Sequence, residues 1–148
     1  MTKTVLVTGG ARGIGKEIVK VFAQNGYNVL VNYNKSSKMA EVLCSDMQNQ
    51  GYSVKAYKAD VANREEVNSM IEYCLNEFKS IDIVINNAGI TDTNIFTDIA
   101  QSKWDEIIGT NLNGVFNVTQ EALKKYMISK KDGSIINISS IDGISGAS

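Results

Sequence analysis

The stretch "VLVTGGARGIGKEI", residues 5–18, contains the signal that decides the fold. An apolar run leads into Thr8, and Gly9, Gly13 and Gly15 then precede residues with helical spacing. A strand, a glycine-rich turn and a helix form the setting in which backbone amides and the helix dipole bind a phosphate group. The spacing is G-x-x-x-G-x-G, so an ordinary strand-to-helix turn that carries these glycines is the alternative interpretation.

Short apolar runs alternate with longer amphipathic stretches along the rest of the chain. The first helical pattern places Ile14, Ile18, Val21 and Phe22 on one face, and the last has an expected irregularity at 110–114 ("TNLNG"). The alternation predicts an α/β fold, a doubly wound parallel sheet with helices on both faces. The predicted strands cover 3–9, 28–33, 53–60, 81–89 and 133–140, and the predicted helices cover 13–24, 36–49, 63–78 and 102–130.

The composition is that of one globular domain, with 148 residues, 43% apolar content and a net charge of −1. The charge argues against a nucleic-acid surface, and no apolar run approaches the length of a membrane span. No signal peptide is evident, so we expect a cytoplasmic protein. Cys44 and Cys74 lie in helical patterns, and histidine is absent. This predicts buried or half-buried thiols and no metal site.

Four segments together resemble the short-chain dehydrogenase/reductase family over the whole chain: "TGGARGIG" (8–15), "NNAG" (86–89), "TNLNGVF" (110–116) and "GSIINISS" (133–140). Within the family, the chain is similar to 3-oxoacyl-[acyl-carrier-protein] reductases and to acetoacetyl-CoA reductases. The resemblance implies a Rossmann fold, with residues 1–148 as a single dinucleotide-binding domain. It also implies that these residues are the N-terminal five strands of a seven-stranded domain, C-terminally incomplete.

The region after the second strand bears on the choice of dinucleotide. Sites that prefer NAD place a carboxylate at the end of this strand, where it accepts from the ribose 2′-hydroxyl. No acidic residue lies between Glu17 and Glu41, Asn32 stands at the predicted strand end, and Lys35 and Arg12 are nearby. Cations favour a 2′-phosphate, so the sequence predicts NADP(H) rather than NAD(H). The alternative is that Lys35 and Lys38 belong to a solvated loop.

The resemblance implies further cofactor contacts after the third and fourth strands. Asp60 and Val61 match the pair that meets the adenine ring, and Asn86 is expected to steady the central sheet as well. The full set of predicted cofactor contacts is Gly9, Arg12, Gly13, Ile14, Gly15, Asn32, Lys35, Asp60, Val61, Asn87, Ala88 and Gly89.

The resemblance also implies a catalytic set. In the family a Ser holds the substrate oxygen, a Tyr delivers the proton, a Lys four residues later lowers the pKa of that Tyr, and an Asn anchors a water. Ser140 matches the Ser, with Ser139 expected on the opposite face. Asn111 matches the Asn, with Asn113 as the competing candidate.

A Tyr-x-x-x-Lys pair does not occur after Ser140 within residues 1–148. Tyr126 and Lys130 have this spacing, but they precede the serine and lie on the helix that carries Asn111. We therefore expect the chain to be part of a longer protein and to be inactive by itself. An apolar patch should be exposed where the next helix would pack.

Three functions remain open at this stage. The first is an NADPH-dependent reductase of 3-oxoacyl thioesters, or of another carbonyl, in the full-length parent. The second is a dinucleotide-binding module, and the third is an interaction protein. The expected substrate is a small molecule or an acyl group on acyl carrier protein, although "TDTNIF" (91–96) departs from that group's pattern. In the family the helix around 112–128 forms homo-oligomers, which implies a tetramer for the parent.

Overall fold

A computed structural model describes residues 2–141 and Gly143. Five strands and six helices alternate along this part of the chain, with a 3₁₀ turn at Phe96–Asp98. The strands are β1 (Thr4–Val7), β2 (Asn28–Tyr33), β3 (Val54–Lys58), β4 (Ile83–Asn86) and β5 (Ser134–Asn137). The helices are α1 (Gly13–Gln24), α2 (Ser37–Asn49), α3 (Arg64–Phe78), α4 (Gln101–Ile108), α5 (Gly114–Ala122) and the three-residue α6 (Ile128–Lys130).

The strands form one parallel sheet in the order β3-β2-β1-β4-β5, which confirms the predicted doubly wound α/β fold. From β1 the chain moves first to β2 and β3, and then returns to β4 on the other side. In open sheets of this kind, ligands bind at the carboxyl ends of the strands where the direction reverses. The crevice between β1 and β4 is therefore the place where the fold favours a site.

Both faces of the sheet are buried at β1, β2 and β4, and this is why these strands read as nearly continuous apolar runs. Successive strand residues face opposite sides, so neighbours such as Leu6 and Val7 belong to different cores. Leu6, Leu30 and Val84 pack with residues of α3 and α5. Val7, Val31 and Ile85 pack with residues of α1 and α2.

The observed strands are shorter than predicted, except for β2, which matches. The difference lies mainly at the carboxyl ends, where residues 8–9 and 87–89 leave the sheet and turn into loops. These loop residues continue the apolar or small-residue pattern, so the sequence does not separate them from the strands.

Helix α1 packs through a different stripe from the one that the sequence indicates. Ile14 and Val21 are 64% and 55% exposed, while Ile18 and Phe22 are only partly buried. The four residues do share one face, but the stripe that packs on the sheet is offset from it, because small side chains allow α1 to lie close to the sheet. The residues of the buried stripe are Gly15, Val19 and Ala23.

The helical stretch from 101 to 130 contains two π-helical segments, Gly109–Asn113 and Leu123–Met127. The backbone stays in the right-handed helical region at every junction, so α4, α5 and α6 follow one another without a break. The first π-helical segment confirms the predicted irregularity. Single π turns inside helices are frequent at functional sites.

Two other expectations concern the surface and the thiols. All four residues of β5 are exposed, and so are Ile138 and Ile141 beyond it, which confirms an uncovered apolar surface at this edge.

Cys44 and Cys74 are buried on opposite faces of the sheet, and burial raises the pKa of their thiols to about 11 and about 12. Both thiols therefore stay protonated at neutral pH.

Residues 2–141 and 143 contain neither a membrane-spanning helix nor a cluster of metal-ligating side chains. None of the helices described there is both long and apolar enough to span a bilayer. Within the same residues, no cluster of three or more Cys, Asp or Glu side chains could hold a metal ion.

Candidate functional site

A cavity of about 260 Å³ lies at the carboxyl ends of the strands, on the crevice between β1 and β4. Loops after four strands and one face of α4 line it. Eight of the twelve predicted cofactor contacts lie around this cavity: Gly9, Arg12, Asn32, Lys35, Asp60, Val61, Ala88 and Gly89. The lining residues outside the predicted set of cofactor contacts are Ala11, Tyr33, Asn34, Ser36, Ala59, Ala62, Ile90, Asp105, Glu106, Gly109 and Thr110.

The glycine loop after β1 lies directly against the loop after β4. Gly9 has a φ of +61°, and a Cβ there would lie 2.9 Å from Ala88 Cα. Only glycine combines this left-handed conformation with such a close approach. Gly10 N donates to Asn32 O at 2.9 Å, which joins the loop to β2 as well.

The start of α1 explains why Gly13, Ile14 and Gly15 lie outside the cavity lining. Gly13 has a φ of +55° with open space around its Cα, and Ile14 is exposed. Gly15 faces inward, where a Cβ would lie 2.5 Å from Gly9 O. No side chain caps the helix, because Arg12 at the N-cap position makes no such bond. The amides of this first turn can therefore donate to a phosphate group.

Asn87 supports the glycine loop through two hydrogen bonds and is not among the residues that line the cavity. Its Nδ2 donates to Thr8 O at 2.9 Å and to Gly9 O at 3.2 Å. Thr8 Oγ1 in turn accepts from Asn87 N and Ala88 N, at 2.9 and 3.0 Å. Thr8, which the sequence did not single out, therefore joins the loop after β1 to the loop after β4.

Asn32 has a structural role that the sequence did not reveal. It is 2% exposed and is followed by Tyr33, which is the last residue of β2, in agreement with the predicted bounds 28–33. Asn32 Oδ1 accepts from Gly9 N at 3.3 Å, and its Nδ2 donates to Ala59 O at 2.9 Å. Both amide atoms are engaged with backbone, so Tyr33 holds the strand-end position that faces the cavity.

Two cations border the cavity on the side of β2. Arg12 is exposed, and its guanidinium makes no ion pair with any residue that the structure describes. Lys35 Nζ lies 3.5 Å from Glu106 Oε1, and Glu106 Oε2 accepts from Lys103 Nζ at 2.9 Å. The hydrogen bond from Lys103 and the charges of both lysines hold the pKa of Glu106 below its usual value.

The loop after β3 is held by α3 and α5. Asp60 N donates to Glu66 Oε2 at 2.8 Å, and Asp60 Oδ1 accepts from Ala62 N at 2.9 Å. Asn117 Nδ2 donates to Val61 O at 3.0 Å from a buried position. Gly114 allows this contact, since a Cβ there would lie 2.6 Å from Val61 Cγ2. Asn117 is a further positioning residue that the sequence analysis missed.

The two candidate catalytic residues lie on adjoining parts of the fold. Asn111, in the first π-helical segment, makes a two-way contact with Ile90: its Oδ1 accepts from Ile90 N and its Nδ2 donates to Ile90 O, both at 2.9 Å. Ser140 is exposed and follows β5, the neighbour of β4 in the sheet. Asn113 is the last residue of the same π-helical segment.

Asn86 and Tyr126 also have defined places. Asn86 Nδ2 donates to Thr119 Oγ1 at 3.0 Å and to Asn137 Oδ1 at 2.9 Å, which confirms that Asn86 steadies the central sheet. Tyr126 packs on the core beside α3 and α5, with Lys130 Nζ 5.6 Å from its ring centroid. Tyr126 is not among the residues that line the cavity.

Comparison with known proteins agrees with this geometry. The chain is 43% identical over 146 residues to a 3-oxoacyl-[acyl-carrier-protein] reductase of Staphylococcus aureus, covering 99% of the chain and 59% of that protein. A 3-oxoacyl-[acyl-carrier-protein] reductase of Synechocystis is 40% identical, with 97% and 58% covered. The chain therefore spans about three fifths of the length of these relatives.

A solved structure gives the same result for the fold. A double mutant of a short-chain dehydrogenase/reductase from Serratia marcescens superimposes with a TM-score of 0.88 at 33% identity, over 95% of this chain and 56% of that one. The family model described as short chain dehydrogenase matches residues 3–148. With its glycine loop, its parallel sheet and its crevice at the switch point, this chain belongs to the short-chain dehydrogenase family.

Proposed function

We propose that the cavity at the β1–β4 crevice binds NADP(H). The observation that carries the proposal is the convergence there of residues from the loops after β1, β2, β3 and β4. The loops present what a dinucleotide needs: a glycine at close approach, an uncapped helix start and a carboxylate side chain. Bound NADPH would supply a hydride to a substrate carbonyl.

The residues around the cavity suggest which part of the dinucleotide each would hold. The uncapped start of α1 suits the pyrophosphate, because its first amides and the helix dipole favour negative charge. Asp60 and Val61, on a loop held by hydrogen bonds from both sides, suit the adenine. Ala88 and Gly89 lie on the side of Asn111 and β5, where we place the nicotinamide.

The choice of NADP(H) over NAD(H) rests on charge. Tyr33 occupies the strand-end position at which NAD-preferring sites place a carboxylate. Arg12 and Lys35 also line the cavity, and cations with several donors bind phosphate well. A 2′-phosphate near these residues would therefore meet two cations and no strand-end carboxylate.

Replacement of Arg12 tests this assignment. We expect the 148-residue chain to bind NADPH more tightly than NADH, and Arg12→Met to weaken NADPH binding about tenfold, because a charge-assisted contact to the 2′-phosphate is lost. NADH affinity should change little. Fluorescence titration of both dinucleotides measures these constants.

Lys3→Met is the matched control, since it removes a positive charge at the amino ends of the strands, opposite the cavity, where Lys3 pairs with Asp132 at 3.6 Å. It should leave both affinities unchanged. Equal affinities of the unmodified chain for NADPH and NADH would contradict the NADP(H) assignment. Absence of binding by either dinucleotide would contradict the dinucleotide site and favour an interaction role.

For a full-length protein that contains this chain, we propose NADPH-dependent reduction of a 3-oxoacyl thioester to the 3-hydroxy product. Two relatives at 40% and 43% identity carry the name 3-oxoacyl-[acyl-carrier-protein] reductase. Ser140 would hold the substrate oxygen, and Asn111 would order the loop at Ile90 next to the reacting groups. Other carbonyl substrates, acetoacetyl-CoA among them, are the alternative.

We also infer that this protein forms a homo-oligomer through the helical face around 112–128. Three large apolar side chains there are exposed to solvent: Leu112, Phe116 and Ile128. Exposed apolar surface of this kind commonly marks a contact between protein chains.

The 148-residue chain itself should show no reductase activity. A Tyr-x-x-x-Lys pair does not follow Ser140 in these residues, so the proton donor that the family uses is not supplied. NADPH oxidation with an acetoacetyl thioester should remain at the background rate, with the reductase of Staphylococcus aureus as the positive control. Turnover by a preparation whose intact mass matches 148 residues would contradict this expectation.

A further inference from the structure

Glu106 on α4 faces the side of the cavity where the 2′-phosphate is expected. We propose that Glu106 is a specificity-determining residue: its carboxylate holds the Lys35 ammonium across the cavity, so a 2′-phosphate must compete with Glu106 for Lys35. The inference rests on the proposed NADP(H) site and deepens it, since it identifies a residue that lowers the preference for the phosphorylated dinucleotide.

The geometry supports competition for one ammonium group. Lys35 lies in the loop between β2 and α2, and Glu106 lies 71 positions later in α4, yet both line the same cavity. Lys35 Nζ is 3.5 Å from Glu106 Oε1, and the Lys35 side chain is 85% exposed. The long, exposed lysine is therefore the mobile partner of the pair.

Lys103 keeps the carboxylate in place. Its Nζ donates to Glu106 Oε2 at 2.9 Å from one turn earlier in α4, so the carboxylate retains one cation whether or not Lys35 stays. Glu106 also keeps its negative charge, because the two lysines hold its pKa below the usual value. A charged carboxylate held in this place stays available to Lys35, so a 2′-phosphate competes with it for the ammonium group.

The physical consequence is a selective, moderate effect. An exposed ion pair is weak, so a 2′-phosphate with charge near −2 can displace Glu106 from Lys35, and part of the binding free energy is used in doing so. NADH has a 2′-hydroxyl at that position, so its binding does not require Lys35 to leave Glu106. Glu106 should therefore lower the affinity for NADPH and leave that for NADH unaffected.

The first test compares the unmodified chain with Glu106→Gln, using NADPH and NADH titrations at low ionic strength, where charge effects are least screened. We expect Glu106→Gln to tighten NADPH binding about three- to fivefold, while NADH affinity changes by less than about 1.5-fold. Glu72→Gln is the control: it removes the same charge from an exposed pair with Lys125 on the outer side of α3, outside the cavity lining. It should change neither affinity.

A Lys35→Met background distinguishes competition for Lys35 from direct repulsion. There, Glu106→Gln should improve NADPH binding by less than about 1.5-fold, because no ammonium group is left to release. Two results would overturn the proposal. One is an unchanged ratio of NADPH to NADH affinity in Glu106→Gln, and the other is the full gain in NADPH affinity from Glu106→Gln in the Lys35→Met background. If the unmodified chain binds NADPH and NADH, but the ratio of the two affinities is the same in Glu106→Gln, only this inference fails. If it binds neither, the proposed function fails and this inference fails with it.

Discussion

A Gly15→Ala variant is expected to lose most of its NADPH affinity and about 2 kcal/mol of its free energy of unfolding. A Cβ at this position would lie 2.5 Å from Gly9 O, 2.6 Å from Asn87 Nδ2 and 2.9 Å from Gly10 Cα. Two of these three atoms are backbone, so the clash is relieved only by moving the glycine loop. The better helix propensity of alanine, up to about 1 kcal/mol, offsets part of the cost.

NADPH affinity should fall more than tenfold in this variant, because the loop and the first turn of α1 together hold the proposed pyrophosphate site. Urea unfolding measures the stability, and fluorescence titration measures the binding. Gly26→Ala is the matched control, since Gly26 has a φ of +83° with nothing within 4 Å of its would-be Cβ. It should cost about 1 kcal/mol from backbone strain and leave binding intact. Wild-type binding and stability in Gly15→Ala would contradict the packing role of Gly15.

An Asn32→Leu variant is expected to be about 3 kcal/mol less stable, because it leaves Gly9 N and Ala59 O without a partner inside the protein. The substitution keeps the approximate shape and removes only the hydrogen bonds. Since both bonds hold loops at the cavity, NADPH and NADH affinities should weaken together. The ratio of the two affinities should stay the same.

Tyr33→Asp is the contrasting variant, because it places a carboxylate at the strand end itself. Its stability should remain close to that of the unmodified chain, while the affinity ratio should shift toward NADH by about tenfold or more. Urea unfolding and paired titrations separate the two effects. A change of dinucleotide preference in Asn32→Leu without loss of stability would restore the selective role that the sequence suggested for Asn32.

Local spacing explains which parts of the fold could be predicted. The alternation of Leu6 and Val7 between two cores follows from the period of a strand, so a continuous apolar run was enough to indicate a sheet covered on both faces. The π-helical segment at Gly109–Asn113 was also visible, because asparagines and glycines interrupt a helical pattern there. The inner stripe of α1 could not be predicted from the sequence, since Gly15 and Ala23 contribute little to a hydrophobic pattern.

The positioning residues of the site could not be found in this way. Thr8, Asn117 and Glu106 act through partners 79, 56 and 71 positions distant along the chain, and their residue types are ordinary for loops and exposed helices. Asn32 was predicted to lie at the site, but its bonds to two loops were not, because a sequence shows that an amide side chain is present and not where its two polar atoms point.

The sequence by itself determined the alternation of strands and helices, the glycine loop after β1 and the order of the segments that carry the family resemblance. These features depend on residues that are close together in the sequence, so local steric and hydrophobic rules are enough to predict them. Only the tertiary structure decided that Asn32 holds two loops and that Lys35 faces Glu106. The physical reason is that hydrogen bonds and ion pairs depend on distances between atoms, which are set when strands distant in sequence come together in one sheet.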